Sequence, residues 1–159
     1  MREAVIKALL VDPSNSSPVV LLKDRHSSKA LPIWIGDAEA MSIAFGLQAD
    51  AFPRPLPHDL MKSMLDELRV TVERIAITDV RDGTFYASIY LKDPDGREME
   101  IDARPSDSLA LALRYGSPIF ISEKVFDEAA IESPFVDEEE FQDFVEYDMN
   151  LREFRRRAG

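Results

Sequence analysis

The chain contains no cysteine, so it has no disulfide, no thiolate metal site and no cysteine nucleophile. Glycine is scarce, six residues in 159, and neither a P-loop nor a G-x-G-x-x-G phosphate cradle occurs. H-E-x-x-H and G-x-S-x-G are also missing, which excludes the common zinc-hydrolase helix and the nucleophile turn of α/β-hydrolases. No apolar run approaches the ~20 residues of a membrane-spanning helix. The start, Met1 to Ala8, lacks the apolar stretch and small-residue cleavage site of a signal peptide. A cytoplasmic protein with no membrane partner is the expectation. Positive charge is in deficit, with 19 Lys and Arg against 30 Asp and Glu, a formal net of −11. Residues 123–159 alone hold 12 acids and 5 bases. Such acidity makes a poor default binder of nucleic acid, because phosphate attraction dominates that affinity. A local basic surface, a metal or an oligomer would be needed to change the field.

What is present suits a single domain with a core, since hydrophobic residues make up 45% of the chain. Val5–Val11 and Val19–Leu22 read as a hairpin joined by a Pro/Ser/Asn loop, with a third strand over Leu31–Ile35. Gly36 breaks that strand and Asp37 opens a helix whose apolar face is Ala40, Met41, Ile43, Ala44 and Leu47. Pro57 suits the first turn of a second helix. Its stripe of Leu60, Met61, Met64, Leu65 and Leu68 predicts a core-facing surface. Val70–Val80, Thr84–Leu91 and Glu98–Ala103 read as strands linked by turns at Asp82-Gly83 and Asp93–Gly96. Ser106 is the expected N-cap of a helix over Ser108–Tyr115, stopped by Gly116 and Pro118. A short strand, Ile119–Ile121, precedes a helix near Glu123–Ala130 capped by Ser122. The order implies an α+β fold with a largely antiparallel sheet. Phe141, Phe144, Val145 and Met149, between Asp137–Glu140 and Arg155–Arg157, predict a peripheral C-terminal helix.

The polar residues gather at strand-to-helix turns, where a rigid scaffold can present them to a ligand. Asp102 and Asp107 flank Arg104, a pattern that suits carboxylates holding Mg²⁺ or Mn²⁺ with an arginine on phosphate. It equally suits a capping carboxylate and a bridging arginine. Glu39 can reach a metal, while Asp37 reads as a cap after Gly36. His58 can serve as a general acid or base or stand exposed, and His26 lies in a polar loop. Trp34 reads as core or as an interface anchor rather than as a base-stacking residue.

Three segments carry more than pattern. They are Leu31-Pro32-Ile33-Trp34-Ile35-Gly36 with Asp37 and Glu39, Arg54-Pro55-Leu56-Pro57-His58-Asp59-Leu60, and Asp102-Ala103-Arg104-Pro105-Ser106-Asp107-Ser108-Leu109-Ala110-Leu111-Ala112. Together with Asp82–Ala87 and Gly116–Phe120 they closely resemble the bifunctional nuclease (BFN) domain family, in the family's order, over about residues 3–130. The resemblance implies a domain over 1–132 and leaves an acidic helical extension over 133–159. It implies a duplicated strand–helix unit whose sheet curls toward a barrel, and self-association as a homo-oligomer. It also implies nuclease activity on RNA and DNA. On that footing Asp102 and Asp107, with Glu39, would hold Mg²⁺ or Mn²⁺, with no organic cofactor. Arg54 and Arg104 would bind phosphate, and His58 would protonate the leaving oxygen. The alternative is an oligomeric binding or regulatory module without catalysis, in which the Arg-Pro turns lock strand to helix and the C-terminal helix mediates assembly.

Overall fold

The computed structural model describes residues 1–48 and 53–133. Alternating apolar residues build a first meander from β1 (Arg2–Val11), β2 (Pro18–Asp24) and β3 (Lys29–Trp34), all antiparallel. Helix α1 (Asp37–Gln48) follows, then α2 (Pro57–Glu67), which begins on the expected proline. A second antiparallel meander comprises β4 (Thr71–Arg81), β5 (Thr84–Lys92) and β6 (Glu98–Ala103), followed by α3 (Pro105–Tyr115). The chain closes this region with β7 (Ile119–Ile121), α4 (Glu123–Ala129) and β8 (Ile131–Glu132). Three strands and then a helix thus occur twice in the chain.

The eight strands form one sheet in the order β6-β5-β4-β7-β1-β2-β3-β8. Strand β7 is the seam between the meanders, antiparallel to β1 and parallel to β4. The sheet curls enough for α4 to touch both β3 and β4. It does not close into a barrel, because β6 and β8 remain as edges. Strand β6 has exposed charges at Glu98, Glu100 and Asp102, a common protection of an edge against further pairing. The Asp82-Gly83 turn has φ of 50° and 78°, the left-handed pair that matches hairpin twist. Strand β4 has two register shifts against β5, between Val72 and Arg74 and between Ile77 and Asp79.

One core cluster joins the sheet to the helices, centred on Leu9, Leu22, Leu31, Ile43, Ile75, Ile77, Leu109 and Ile121, all nearly inaccessible. Helix α3 packs on β4 and β5 and also touches α1 and α2. Two expectations fail here. Helix α2 does not turn its apolar stripe inward: Leu60, Met61, Met64 and Leu68 are exposed, and only Leu65 of the set packs against the core. The buried side chain of α2 is His58. Helix α3 starts at Pro105 rather than Ser108, with Arg104 rather than Ser106 in the N-cap position, because proline is well suited to the first helical position. Ser122 caps α4 as expected, accepting from the Val125 amide. The expected C-terminal helix lies outside the described residues.

Candidate functional site

Helices α1, α2 and α3 meet through a polar cluster that runs into their N-terminal turns. At its centre is His58, 4% exposed, whose two ring nitrogens are both engaged. Its Nδ1 lies 2.6 Å from Ser42 Oγ of α1, and its Nε2 lies 2.8 Å from Asp107 Oδ1 of α3. Arg114, from the last turn of α3, extends the network. It donates from Nε to Asp59 Oδ1 at 2.7 Å, and from its terminal nitrogens to Ser42 Oγ at 3.0 Å and the Ser42 carbonyl at 3.3 Å. Asp59 also accepts the Leu56 amide at 2.9 Å, closing the first turn of α2. Burial acts to raise the Asp59 pKa, but the Arg114 and Leu56 hydrogen bonds outweigh it and hold the carboxyl below its ordinary range. A second tie between α2 and α3 comes from Tyr115, whose hydroxyl donates to Asp66 at 2.9 Å. Burial and that neighbouring carboxylate push the Tyr115 phenol up to about 12.

Around the cluster, Glu39 of α1 faces Arg104 at the head of α3, with Nη1 to Oε1 at 3.7 Å. The Glu39 carboxylate folds over Gly36, where an added Cβ would sit 2.5 Å from Oε2. Any side chain at Gly36 would displace Glu39, so glycine here permits the close approach. The Arg104 side chain is 68% exposed, with Glu39 as its ion-pair partner.

Of the residues expected from the sequence, the structure therefore brings together His58 with Asp107, and Arg104 with Glu39. Asp102 is exposed on β6, opposite Ser88 of β5, and Arg54 is exposed in the loop before α2. Among the described residues no three His, Asp or Glu side chains are grouped to hold a metal ion. Asp107 and Glu39 are each occupied by a cationic or imidazole partner, so the carboxylates do not form a ready oxygen cage. Ser42 and Arg114 were not singled out from the sequence. The available signals were slight: a lone hydroxyl between Met41 and Ile43 on an apolar face, and a cation in the last turn of an apolar helix.

A cleft of about 380 Å³ adjoins this region, between the end of β3, the β4–β5 turn and the start of α3. Trp34 stands on its rim, 54% exposed rather than buried as core. Its indole Nε1 donates to Asp12 Oδ2 at 3.0 Å, which pins the ring edge to the β1–β2 loop.

With this geometry in view, the comparisons with known proteins are decisive for the family. The model of the bifunctional nuclease domain matches residues 20–134, well over half of the chain. The chain belongs to the bifunctional nuclease domain family. An uncharacterised protein of Mycobacterium tuberculosis is 38% identical to it over 140 residues, covering 88% of this chain and 83% of that protein. A protein of Oryza sativa subsp. japonica named bifunctional nuclease 1 is 25% identical over 118 residues, 73% of this chain and 36% of that protein. The matched region of the family model contains the whole polar cluster, from Glu39 and Ser42 through His58 and Arg104 to Arg114. No helix among the described residues is long and apolar enough to cross a membrane.

Proposed function

We propose that this bifunctional nuclease domain hydrolyses phosphodiester bonds in single-stranded RNA and DNA at the head of α3. The observation that carries the reading is the coupling of Asp107 to His58 beside the exposed Arg104. Asp107 is 35% exposed at its side chain, with one carboxylate oxygen anchored by a buried imidazole. In this reading Asp107 takes the proton from a water that attacks phosphorus. The P–O bond to the leaving oxygen breaks and that oxygen is protonated from solvent, while Arg104 offsets charge developing on the phosphate. His58 is too enclosed to meet a substrate, so it is a positioning residue that fixes the Asp107 carboxylate. Arg54 contributes from the surface, by contact with a longer strand, and Asp102 takes no part in the step. The Mg²⁺ or Mn²⁺ expected from the sequence enters as a condition of the assay, and no step is assigned to it.

The test is cleavage of single-stranded RNA and DNA by full-length protein in chelator, in Mg²⁺ and in Mn²⁺. Asp107→Asn and Arg104→Ala are assayed alongside the unaltered protein. Losing a positioned acid–base group should lower kcat by about 10²-fold or more. Undiminished turnover in both variants would remove this site, and the absence of turnover in every condition would remove the enzyme.

A second reading, an oligomeric binding module without catalysis, is favoured by a different observation. The His58–Asp107 and Arg114–Asp59 pairs hold helices together whatever else they do. The exposed stripe on α2 gives self-association a surface to use. A folded, associated protein with no turnover on either nucleic acid would select it.

A further inference from the structure

We infer that the cleft beside Trp34 is a nucleotide subsite, in which the indole stacks a base and the head of α3 receives the attached phosphate. The inference rests on the nucleic-acid reading above and adds the part of the substrate that is bound. Its first support is the pairing of an aromatic face with an exposed cation. Trp34 is exposed on the rim and held by Asp12, so its ring is a prearranged platform. Phe85 and Arg104 line the same cleft. Its volume, about 380 Å³, lies in the range of small-ligand clefts, about 300–1,000 Å³.

The second support is Ser106. This residue is 2% exposed and lines the cleft, yet its hydroxyl has no hydrogen-bond partner among the described residues. No fully enclosed side-chain oxygen or nitrogen among the described residues lacks a partner, so the Ser106 hydroxyl keeps some contact with solvent, and Ser106 is one of the residues lining the cleft. The first turn of α3 carries no side-chain cap, and no loop carbonyl takes the Ser106 amide among the described residues. A phosphate there would meet the hydroxyl, the first-turn amide and the positive end of the helix. Arg104 completes the set. Its contact with Glu39, at 3.7 Å, is longer than a hydrogen bond, and a phosphate oxygen can replace it. The ligand class is a nucleoside 5′-phosphate unit, whether free or within a single strand. Base stacking on an aromatic is indifferent to sequence.

Trp34 is the sole tryptophan of the chain, so its fluorescence reports on this cleft directly. Full-length protein carrying Asp107→Asn, to suppress cleavage, is titrated with AMP, with a uridylate hexamer and with inorganic phosphate. Saturable quenching by AMP and the hexamer, but not by phosphate, is the expected result. Quenching by AMP alone would identify a free nucleotide as the ligand, and quenching by the hexamer alone would identify a strand. Arg104→Ala should weaken the quenching at least tenfold, and Ser106→Ala several-fold. Trp34→Leu should weaken hexamer binding about tenfold by anisotropy of a labelled strand. No quenching by either nucleotide probe, or quenching indifferent to Arg104 and Ser106, overturns the subsite. Cleavage by the protein that retains Asp107, if unchanged by Trp34→Leu, overturns the subsite and leaves the nuclease. Arg104-dependent quenching without any cleavage overturns the nuclease and leaves the subsite.

Discussion

Nε2 of His58 and Oδ1 of Asp107 meet at 2.8 Å although 49 residues separate them in the chain. With Ser42 on the other ring nitrogen, one imidazole joins α1, α2 and α3. Ser42 is also an acceptor for Arg114, and both Ser42 and His58 are buried. Ser42→Ala therefore removes two hydrogen bonds at once from groups that water cannot readily reach. The expected loss is about 1–3 kcal/mol of unfolding free energy, the usual penalty for stranding a buried polar partner. Urea denaturation with an unchanged slope measures it. His58→Ala should lose more, because it also leaves a cavity. A loss below about 0.5 kcal/mol for Ser42→Ala, the scatter of ordinary surface changes, would mean that the three helices do not depend on this tie.

Asp59 gives the fold an acid dependence of definite sign. Its carboxyl is held below its ordinary value of 3.8 in the folded protein by Arg114 and the Leu56 amide, against the opposing pull of burial. The unfolded chain then binds the proton more tightly than the folded one. The stabilisation is fully present above pH 3.8 and disappears as pH falls through the lower folded value. Asp59→Asn should lose stability at neutral pH and show a flatter decline between pH 5 and 2 than the unaltered protein. Thermal unfolding at closely spaced pH values checks this. Parallel declines for the two proteins would place the acid sensitivity elsewhere, for example at Asp24, which is nearly inaccessible beside Arg2.

Much of the fold was legible because it follows from local chemistry. The Asp82-Gly83 turn, the proline at the start of α2, the serine cap of α4 and the Gly116 stop of α3 each satisfy a backbone requirement within a few residues. The orientation of α2 was not legible. Its stripe of Leu60, Met61, Met64, Leu65 and Leu68 has the spacing of a core face, and spacing alone cannot say on which side the core lies. There α2 pairs with α3 through His58, Asp59, Lys62, Asp66 and Tyr115, a largely polar contact that no hydrophobic pattern reveals. The site was half legible for the same reason. His58, Arg104, Asp107 and Glu39 sit at turns, where charged residues attract notice. Ser42 and Arg114 sit inside apolar helices, and only tertiary contact gives them partners. For Trp34 the sequence left core and interface anchor both open, and strand alternation puts the ring on the outer side, next after buried Ile33, which removes the core reading.

Gly83 has φ of 78°, and a Cβ there would meet no atom within 4 Å. Space is therefore not the constraint, and the cost of a side chain is purely conformational. Gly83→Ala should destabilise the protein by about 1–2 kcal/mol, the penalty for an L-residue in the left-handed region. Since Gly83 also borders the cleft, the substitution separates two effects. Lower stability with unchanged nucleotide binding at a temperature where the protein is folded is the expected pattern. Unchanged stability in denaturant would show that the β4–β5 turn tolerates another geometry.

The exposed side of α2 makes a prediction about assembly. Leu60, at 55% exposure, Met64, at 59%, and Leu68, at 67%, follow one another at a spacing of four, so they form one strip rather than scattered apolar residues. A strip of this kind on an otherwise strongly acidic molecule favours burial against another apolar surface. A second copy can supply one through the same strip in a two-fold arrangement, since an isologous contact requires only self-complementarity. Met64→Glu with Leu68→Glu should shift the full-length protein to monomer in light scattering. Both positions are solvent-facing, so unfolding stability measured at the monomer concentration should change little. Truncation after Pro134 is the matching control, because assembly through the C-terminal segment would be lost there and kept in the α2 double variant. A protein that is monomeric before any substitution, or a double variant whose mass is unchanged, would show that α2 does not mediate association.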